Sequence, residues 1–466
     1  MEQFNSLLTN ISDCIYVYVL VGLLIVCGLY FTISTRFAQI RLFPEALKSI
    51  REKSDGKKVS PFQALMICTA SKVGTANIAG VATAMVIGGP GSMFWMWVMA
   101  IIGSASSMAE ATLAQIYKVK SPDGSSFMGG PAYYIHQALG KKKLGVLFSC
   151  LFIFCCLCGF NTLQAHNMSS ALKYYIPNYE HTIWPWVVGI IFASLVAWVI
   201  FGGMKRIGIV SSYLVPAMAA TYLLAGLFII ITNISKVPAA LSLIFSSAFD
   251  MNSILGGISG SVMIIGIKRG LLSNEAGMGS APNAAACADT SHPAKQGVAQ
   301  ILSVFIDTIL ICSTSAFILL LSNVDLNTDL MGMPLMQQAL QNQFGIWGVH
   351  FITCSVSTFA FSATLGNLAY CESNILFINK SPKFINSLRV FSIFPIIFGC
   401  VTTASIAWNL TDISMAFIAV INIITIIILS KRYKICLADY LNQRKLGKDP
   451  VFKATDCGIT DAQLWK

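Results

Sequence analysis

The sequence predicts an all-α polytopic membrane protein with eleven spans: one extra N-terminal helix, then an inverted five-plus-five repeat with a broken helix in each half. Three observations carry this. Of 466 residues, 55% are hydrophobic and only 11% charged, with a mean hydropathy of +0.70; soluble domains carry about 25% charged residues. Apolar runs of the ~20 residues needed to cross the hydrocarbon core recur along the whole chain. The second and seventh runs are interrupted by glycines and charged groups, five spans apart and running in opposite directions, which is the layout of inverted repeats built around discontinuous helices.

The expected spans are 14–35, 62–88, 91–117, 144–172, 183–201, 207–232, 254–286, 297–322, 346–376, 387–407 and 409–431. They divide the chain into an N-terminal helix with a basic surface segment (1–61), two five-helix units (62–232 and 233–433) and a tail (434–466). Several spans exceed a straight crossing, which implies tilt or breaks. The segment Arg36 to Lys58 reads as an amphipathic helix on the membrane surface. Of the 31 lysines and arginines, 26 fall on one side of this topology and two on the other; Lys72, Lys268 and Arg269 lie within spans. Positive residues stay inside, so the N-terminus is expected outside and the C-terminus in the cytoplasm; the expected location is the cell membrane. The net charge of +11 is therefore topological, and nucleic acid is not an expected partner. The bilayer is; no feature asks for an obligate protein partner. The fourteen cysteines show neither zinc-ligand spacing nor a secreted disulfide framework. No cleavable signal peptide is evident.

The stretch Ser71 to Gly91, which takes in most of the second span, reads SKVGTANIAGVATAMVIGGPG. Gly74, Ala76 and Gly80 allow close backbone approach and local unwinding. Unwinding frees N–H and C=O groups that need partners at bilayer depth; an ion and a polar ligand are one solution, a tightly packed helix pair the other. In the seventh span, Gly266 and Gly270 bracket Lys268 and Arg269, followed by Ser273 to Pro282. Charges at this depth are costly, and Arg269 is expected to pair with Glu275 or Glu110. Glu110, Asp307 and Glu372 read more as structural partners than as ion ligands. Asn161 and Gln164 share a helical face and form a candidate pocket wall, or an interhelical hydrogen-bonding pair; His166 reads as structural. The hydroxyls of the ninth span, Ser362 and Thr364 among them, suit a dehydrated sodium, although hydroxyls also bond back to their own helix.

Val73-Gly74-Thr75-Ala76-Asn77, Gly88 to Trp97, Glu110 to Gln115, Gly129 to Tyr134 and Ser273 to Ala286 resemble the signatures of the alanine or glycine:cation symporter family, over nearly the whole chain. The resemblance implies a LeuT-type core preceded by one extra helix, with sodium-coupled uptake of a small neutral amino acid, chiefly alanine or glycine. It implies that the amides of Thr75 and Ala76, beside Gly74, take the substrate carboxylate, that Asn77 faces substrate or sodium, and that Asn161, Gln164, Gly266 and Asn367 line the substrate site. It implies a sodium held by the carbonyls of Ala70 and Val73 against Phe359 and Ser362, near Asn77. Four departures bear on specificity: Ala76 stands where glycine is usual, Ala363 where a second hydroxyl is common, Lys268 where glutamine is usual, and Asn367 where many members have tryptophan. Proton coupling, or a larger polar substrate such as glutamine or serine, is the alternative. No catalytic motif, repeated channel filter or soluble output domain is present to favour an enzyme, a channel or a sensor.

Overall fold

The computed structural model describes residues 2–52, 58–122, 124, 126–250, 261–326, 328 and 330–465. Within a bilayer each helix satisfies its own backbone, and the described chain is helical nearly throughout; its only strands are the short antiparallel pair Val119–Lys120 and Phe127–Met128. Among the described residues, eight helices are long and apolar enough to cross a membrane, or nine if the pair Pro61–Lys72 and Thr75–Ile87 is one broken span bent by 58°. The expected fifth span appears as a 17-residue apolar helix, Trp184–Ile200. The expected seventh is seen as Val262–Asn274 followed by the short Ala281–Ala285; its first residues, 254–260, lie outside the described residues, as do 53–57 of the basic segment.

The helix starts follow local chemistry. Ser60 and Gln63 form a reciprocal capping box before Pro61, satisfying donors that a helix start leaves open. Ser261 accepts from the Ile264 amide, and His292 from the Ala294 amide. Pro61–Lys72 packs against Gly203–Thr232 and Ile346–Ile378, so the first break sits deep in the bundle. The N-terminal helix, Thr9–Ser34 as a span, packs at the edge against Ser92–Ile116 and Ala404–Ile428. The basic segment is not one helix but two, Ala38–Arg41 and Phe43–Ser49.

Several elements were not foreseen, the helices Pro131–Leu139 and Val237–Ala248 among them. Met333–Phe344 is a helix between the eighth and ninth spans. The tail is ordered: Ser430–Lys445 is helical, and the segment beyond it lies back on the bundle, with Phe452, Ala454, Ile459 and Ala462 buried.

Candidate functional site

The first break is built by two diverted amides. In a continuous helix the Gly74 N–H would bond to Ala70 O and the Asn77 N–H to Val73 O. Here Gly74 N donates to Lys72 O at 2.8 Å and Asn77 N to Gly74 O at 3.2 Å. The carbonyls of Ala70 and Val73, the two named for sodium, are thereby released from the helical ladder. Ser362, four residues before Gly366 on the facing helix, is fully buried, and its Oγ has no hydrogen-bond partner among the described residues. That helix lies close: a Cβ on Gly366 would stand 2.6 Å from Ser71 N, and one on Gly74 would stand 3.1 Å from Ala363 Cβ. Freed carbonyls on one helix and an unpartnered hydroxyl on the helix packed against it are the kind of oxygen donors that suit a hard monovalent cation. Phe359 is buried one turn away, its ring edge-on to Tyr222. Thr364 Oγ1 and Thr69 Oγ1 are also buried without a partner.

The polar side chains named from sequence converge here. Thr75 N donates to Gln164 Oε1 at 2.8 Å, and Asn167 Nδ2 to Thr75 Oγ1 at 2.8 Å. The Gln164 amide oxygen thus occupies the direction in which a carboxylate oxygen would approach Thr75. Ala76 is buried, with its Cβ beside Gly80. Asn77 Nδ2 donates to Asp307 Oδ1 at 2.5 Å, and Ser315 Oγ to Asn77 O at 2.6 Å. Asn367 Nδ2 donates to Asn161 Oδ1 at 2.9 Å, while Ser71 Oγ lies 2.7 Å from Asn367 Oδ1 and 2.8 Å from Glu275 Oε1. The second amide hydrogen-bonding group of Asn161, Nδ2, is buried without a partner.

Sequence reasoning underrated Asp307. Its carboxylate accepts from Asn77, Ser273 and Thr308 and is fully buried. It lies on the π-helical turn Phe305–Cys312, and Asn161 ends another, Cys155–Asn161; such wide turns recur at functional sites. Lys72, also buried, donates to Ser303 Oγ at 2.7 Å and lies within electrostatic reach of Glu110, Glu275 and Asp307.

The seventh span required three corrections. First, among the described residues the seventh span is interrupted at 275–280, not at Gly266 and Gly270, the glycines that bracket its cations. Glu275, Gly277 and Gly279 have φ of +55°, +81° and +88°, whereas Gly266 and Gly270 lie within the helix. Second, Gly266 turns its bare face to Ser92 O and Trp95, where a Cβ would stand at 2.4 and 2.7 Å, so on that face it serves close helix packing. Third, Arg269 pairs with neither Glu275 nor Glu110. Arg269 and Glu275 are six residues apart, about 120° around the helix. Arg269 instead lies 3.3 Å from Asp412 and 4.0 Å over the Trp408 ring. Lys268 lies 2.9 Å from the other Asp412 oxygen and 3.8 Å from Asp13 of the first helix. Asp412, an acid inside the apolar eleventh span, was a signal in the sequence that went unused.

Both other carboxylates hold the second break with neutral donors. Glu110 accepts from Gly277 N (3.3 Å), Gly279 N (3.1 Å) and Asn422 Nδ2 (2.8 Å). Glu275 accepts from Ser71 and Ser280. The Glu110 oxygens thereby replace the helical acceptors that unwinding removes from Gly277 N and Gly279 N.

Two interrupted helices whose breaks meet through Ser71 and Glu275, in the middle of an apolar bundle, define a multi-pass membrane transporter of the broken-helix kind. The description "Sodium:alanine symporter family" matches residues 1–454. The amino-acid carrier protein AlsT of Bacillus subtilis is 45% identical, over 100% of this chain and 99% of its own. The probable sodium/glutamine symporter GlnT of the same organism is 41% identical over 97% and 94%, and the sodium/alanine symporter AgcS of Methanococcus maripaludis 35% identical over 92% and 95%. In structure, MhsT in complex with L-phenylalanine superposes with a TM-score of 0.58 at 16% identity, over 87% of this chain and 93% of its own, which establishes the LeuT-type fold alone. The chain belongs to the sodium:alanine symporter family, a family of transporters and not of enzymes.

Proposed function

We propose that the protein takes up a small neutral amino acid, alanine or glycine, together with sodium across the bacterial plasma membrane, with its N-terminus outside and its C-terminus in the cytoplasm. The observation that carries the reading is the first break: two freed carbonyls, Ala70 and Val73, and a buried, unpartnered hydroxyl, Ser362, on the helix packed against it. In this reading sodium is held there, with Phe359 O on the same helix. The substrate carboxylate replaces Gln164 Oε1 at Thr75 N and takes the adjacent Ala76 amide at Gly74, as anions do at helix starts. Asn77 ties this site to Asp307. The five-helix units 62–232 and 233–433 rock about the two breaks, exposing the site to either side in turn.

A second reading is favoured by Asn367. It stands where a bulky tryptophan is common in the family, and it joins Asn161 and Ser71 in a polar chain. A hydroxyl or carboxamide substrate, serine or glutamine, suits such a chain better than a methyl group does; one relative carries the name of a glutamine symporter.

The test is uptake of labelled alanine, glycine, serine and glutamine into proteoliposomes under an inward sodium gradient, and separately under a proton gradient. Sodium-driven uptake of one or more of these is expected. Uptake that ignores sodium and follows protons would overturn the coupling.

A further inference from the structure

At one end of the bundle the chain leaves the first membrane helix through Thr35, Arg36 and Phe37. Arg36 and Phe37 have φ of +56° and +57°, a region bulky residues seldom adopt and in which they persist only when their surroundings demand it. The sharp turn lays Ala38–Arg41 and Phe43–Ser49 beside the tail helix Ser430–Lys445. A cavity of about 610 Å³ remains between them.

Five cationic side chains line this cavity, Arg36, Arg41, Lys434, Arg444 and Lys445, against one carboxylate, Glu45. Arg444 spends its charge on Glu45 at 2.7 Å, and Lys434 donates to the Tyr30 hydroxyl at 3.2 Å. Arg36, Arg41 and Lys445 form no salt bridge with any other described residue. Four uncompensated positive charges around one concavity repel one another, and an anion seated among them relieves that repulsion. Guanidinium groups match phosphate oxygens in particular.

The position of the cavity selects the source of the anion. The helix ending at Ser34 exposes Val26, Leu29 and Ile33, and the turn beyond it exposes Phe37 and Ile40. Apolar side chains exposed on a membrane helix face acyl chains. The cavity therefore opens where hydrocarbon gives way to headgroups. We propose that it binds the phosphodiester headgroup of an anionic phospholipid, whose acyl chains lie along Val26, Leu29 and Ile33. Basic pockets at the membrane surface act in this way, at about 1 kcal/mol, or roughly fivefold in affinity, per cation.

The test uses the full chain, purified and delipidated in a mild non-ionic detergent. Phosphatidylglycerol, phosphatidylcholine and inorganic phosphate are titrated separately, with melting temperature and retained lipid by native mass spectrometry as readouts. Phosphatidylglycerol should be retained and should raise the melting temperature more than phosphatidylcholine. The variant Arg36→Gln/Arg41→Gln/Lys445→Gln should lose on the order of 100-fold in phosphatidylglycerol affinity, with its melting temperature in phosphatidylcholine unchanged. Lys141→Gln/Lys142→Gln/Lys143→Gln removes three exposed cations away from the cavity and should bind as the parent does. If the first triple variant does not fold, Arg41→Gln alone should lose about fivefold. Equal retention of both lipids, equal loss in the two triple variants, or full retention without the cavity cations would overturn the proposal. An equal response to inorganic phosphate would assign the cavity to a soluble anion instead.

Discussion

Asn77 and Asn367 do different work around the first break. Asn77 donates to a fully buried carboxylate, Asp307, at 2.5 Å. Replacing it by alanine removes a charge-assisted hydrogen bond and leaves an acceptor unsatisfied at depth, a cost of roughly 1–3 kcal/mol. Asn77→Ala is expected to insert and fold but to bind substrate at least tenfold more weakly, as calorimetry on the purified protein would read; near-parental affinity would sink its assigned role. Asn367 Oδ1 and Glu275 Oε1 both lie within hydrogen-bond distance of the Ser71 hydroxyl, whose one proton serves a single acceptor at a time. Asn367→Trp fills that space and breaks the chain to Asn161. Competition uptake should then show serine and glutamine losing tenfold or more, about 1.4 kcal/mol, while glycine is spared. Equal loss for glycine and glutamine would mean that this position does not set pocket size.

At the scale of elements, the two breaks are held open differently. The first is stabilised by its own diverted amides and by Gln164; the second depends on glycines and on Glu110. Gly279 shows this dependence most sharply. Its φ of +88° is one that L side chains rarely adopt, and a Cβ there would stand 2.7 Å from Pro131 Cγ and 2.9 Å from Asn422 Cγ. Gly279→Ala should therefore destabilise by about 1–3 kcal/mol from backbone strain alone. Its thermal midpoint should fall, whereas Gly124→Ala, also at positive φ but with nothing within 4 Å, should cost less. A Gly279→Ala protein as stable as its parent would show that the second break tolerates another geometry. Glycines were readable as the material of a break in both spans. Which of them unwind the helix and which let another helix approach was not, because the two uses demand the same residue. Gly266 and Gly279 both stand against close neighbours, and the backbone, helical at the first and at φ +88° at the second, is what separates them.

The whole molecule is closed at one end by its tail. Phe452 N donates to Ser291 O, Trp465 Nε1 to Gln115 O, and Lys295 bridges Asp449 and Glu52. His292 joins this end to the tail helix. Its Nδ1 accepts from the Ala294 amide, so Nε2 carries the proton and faces Asp439 at 3.2 Å. Burial, opposed by Asp439, pushes the imidazole down to about 4 from an ordinary value near 6.5. Between those values the unfolded chain binds more protons than the folded one, so stability rises with pH across that window and falls on acidification. The melting temperature should drop from pH 7 to pH 5, and less so in His292→Asn, whose side chain can still cap the helix. An equal drop in both proteins would place the acid sensitivity elsewhere.

Composition and periodicity by themselves determined that this chain crosses a membrane many times, since a helix in hydrocarbon must be long, apolar and internally bonded. The motif Val73–Asn77 marked the first break for the same reason: glycine and asparagine are costly in a span unless the backbone there is opened for use. Partners of charges were a different matter. Arg269 finds Asp412, which is 143 positions away and on another helix. Asp307 finds Asn77 across 230 positions. Spacing along one helix says which face a side chain occupies, but which helix meets that face is decided by how the bundle packs. The partner of a buried charge, the residue that frees a carbonyl and the tail that covers one end therefore emerged only from the tertiary structure.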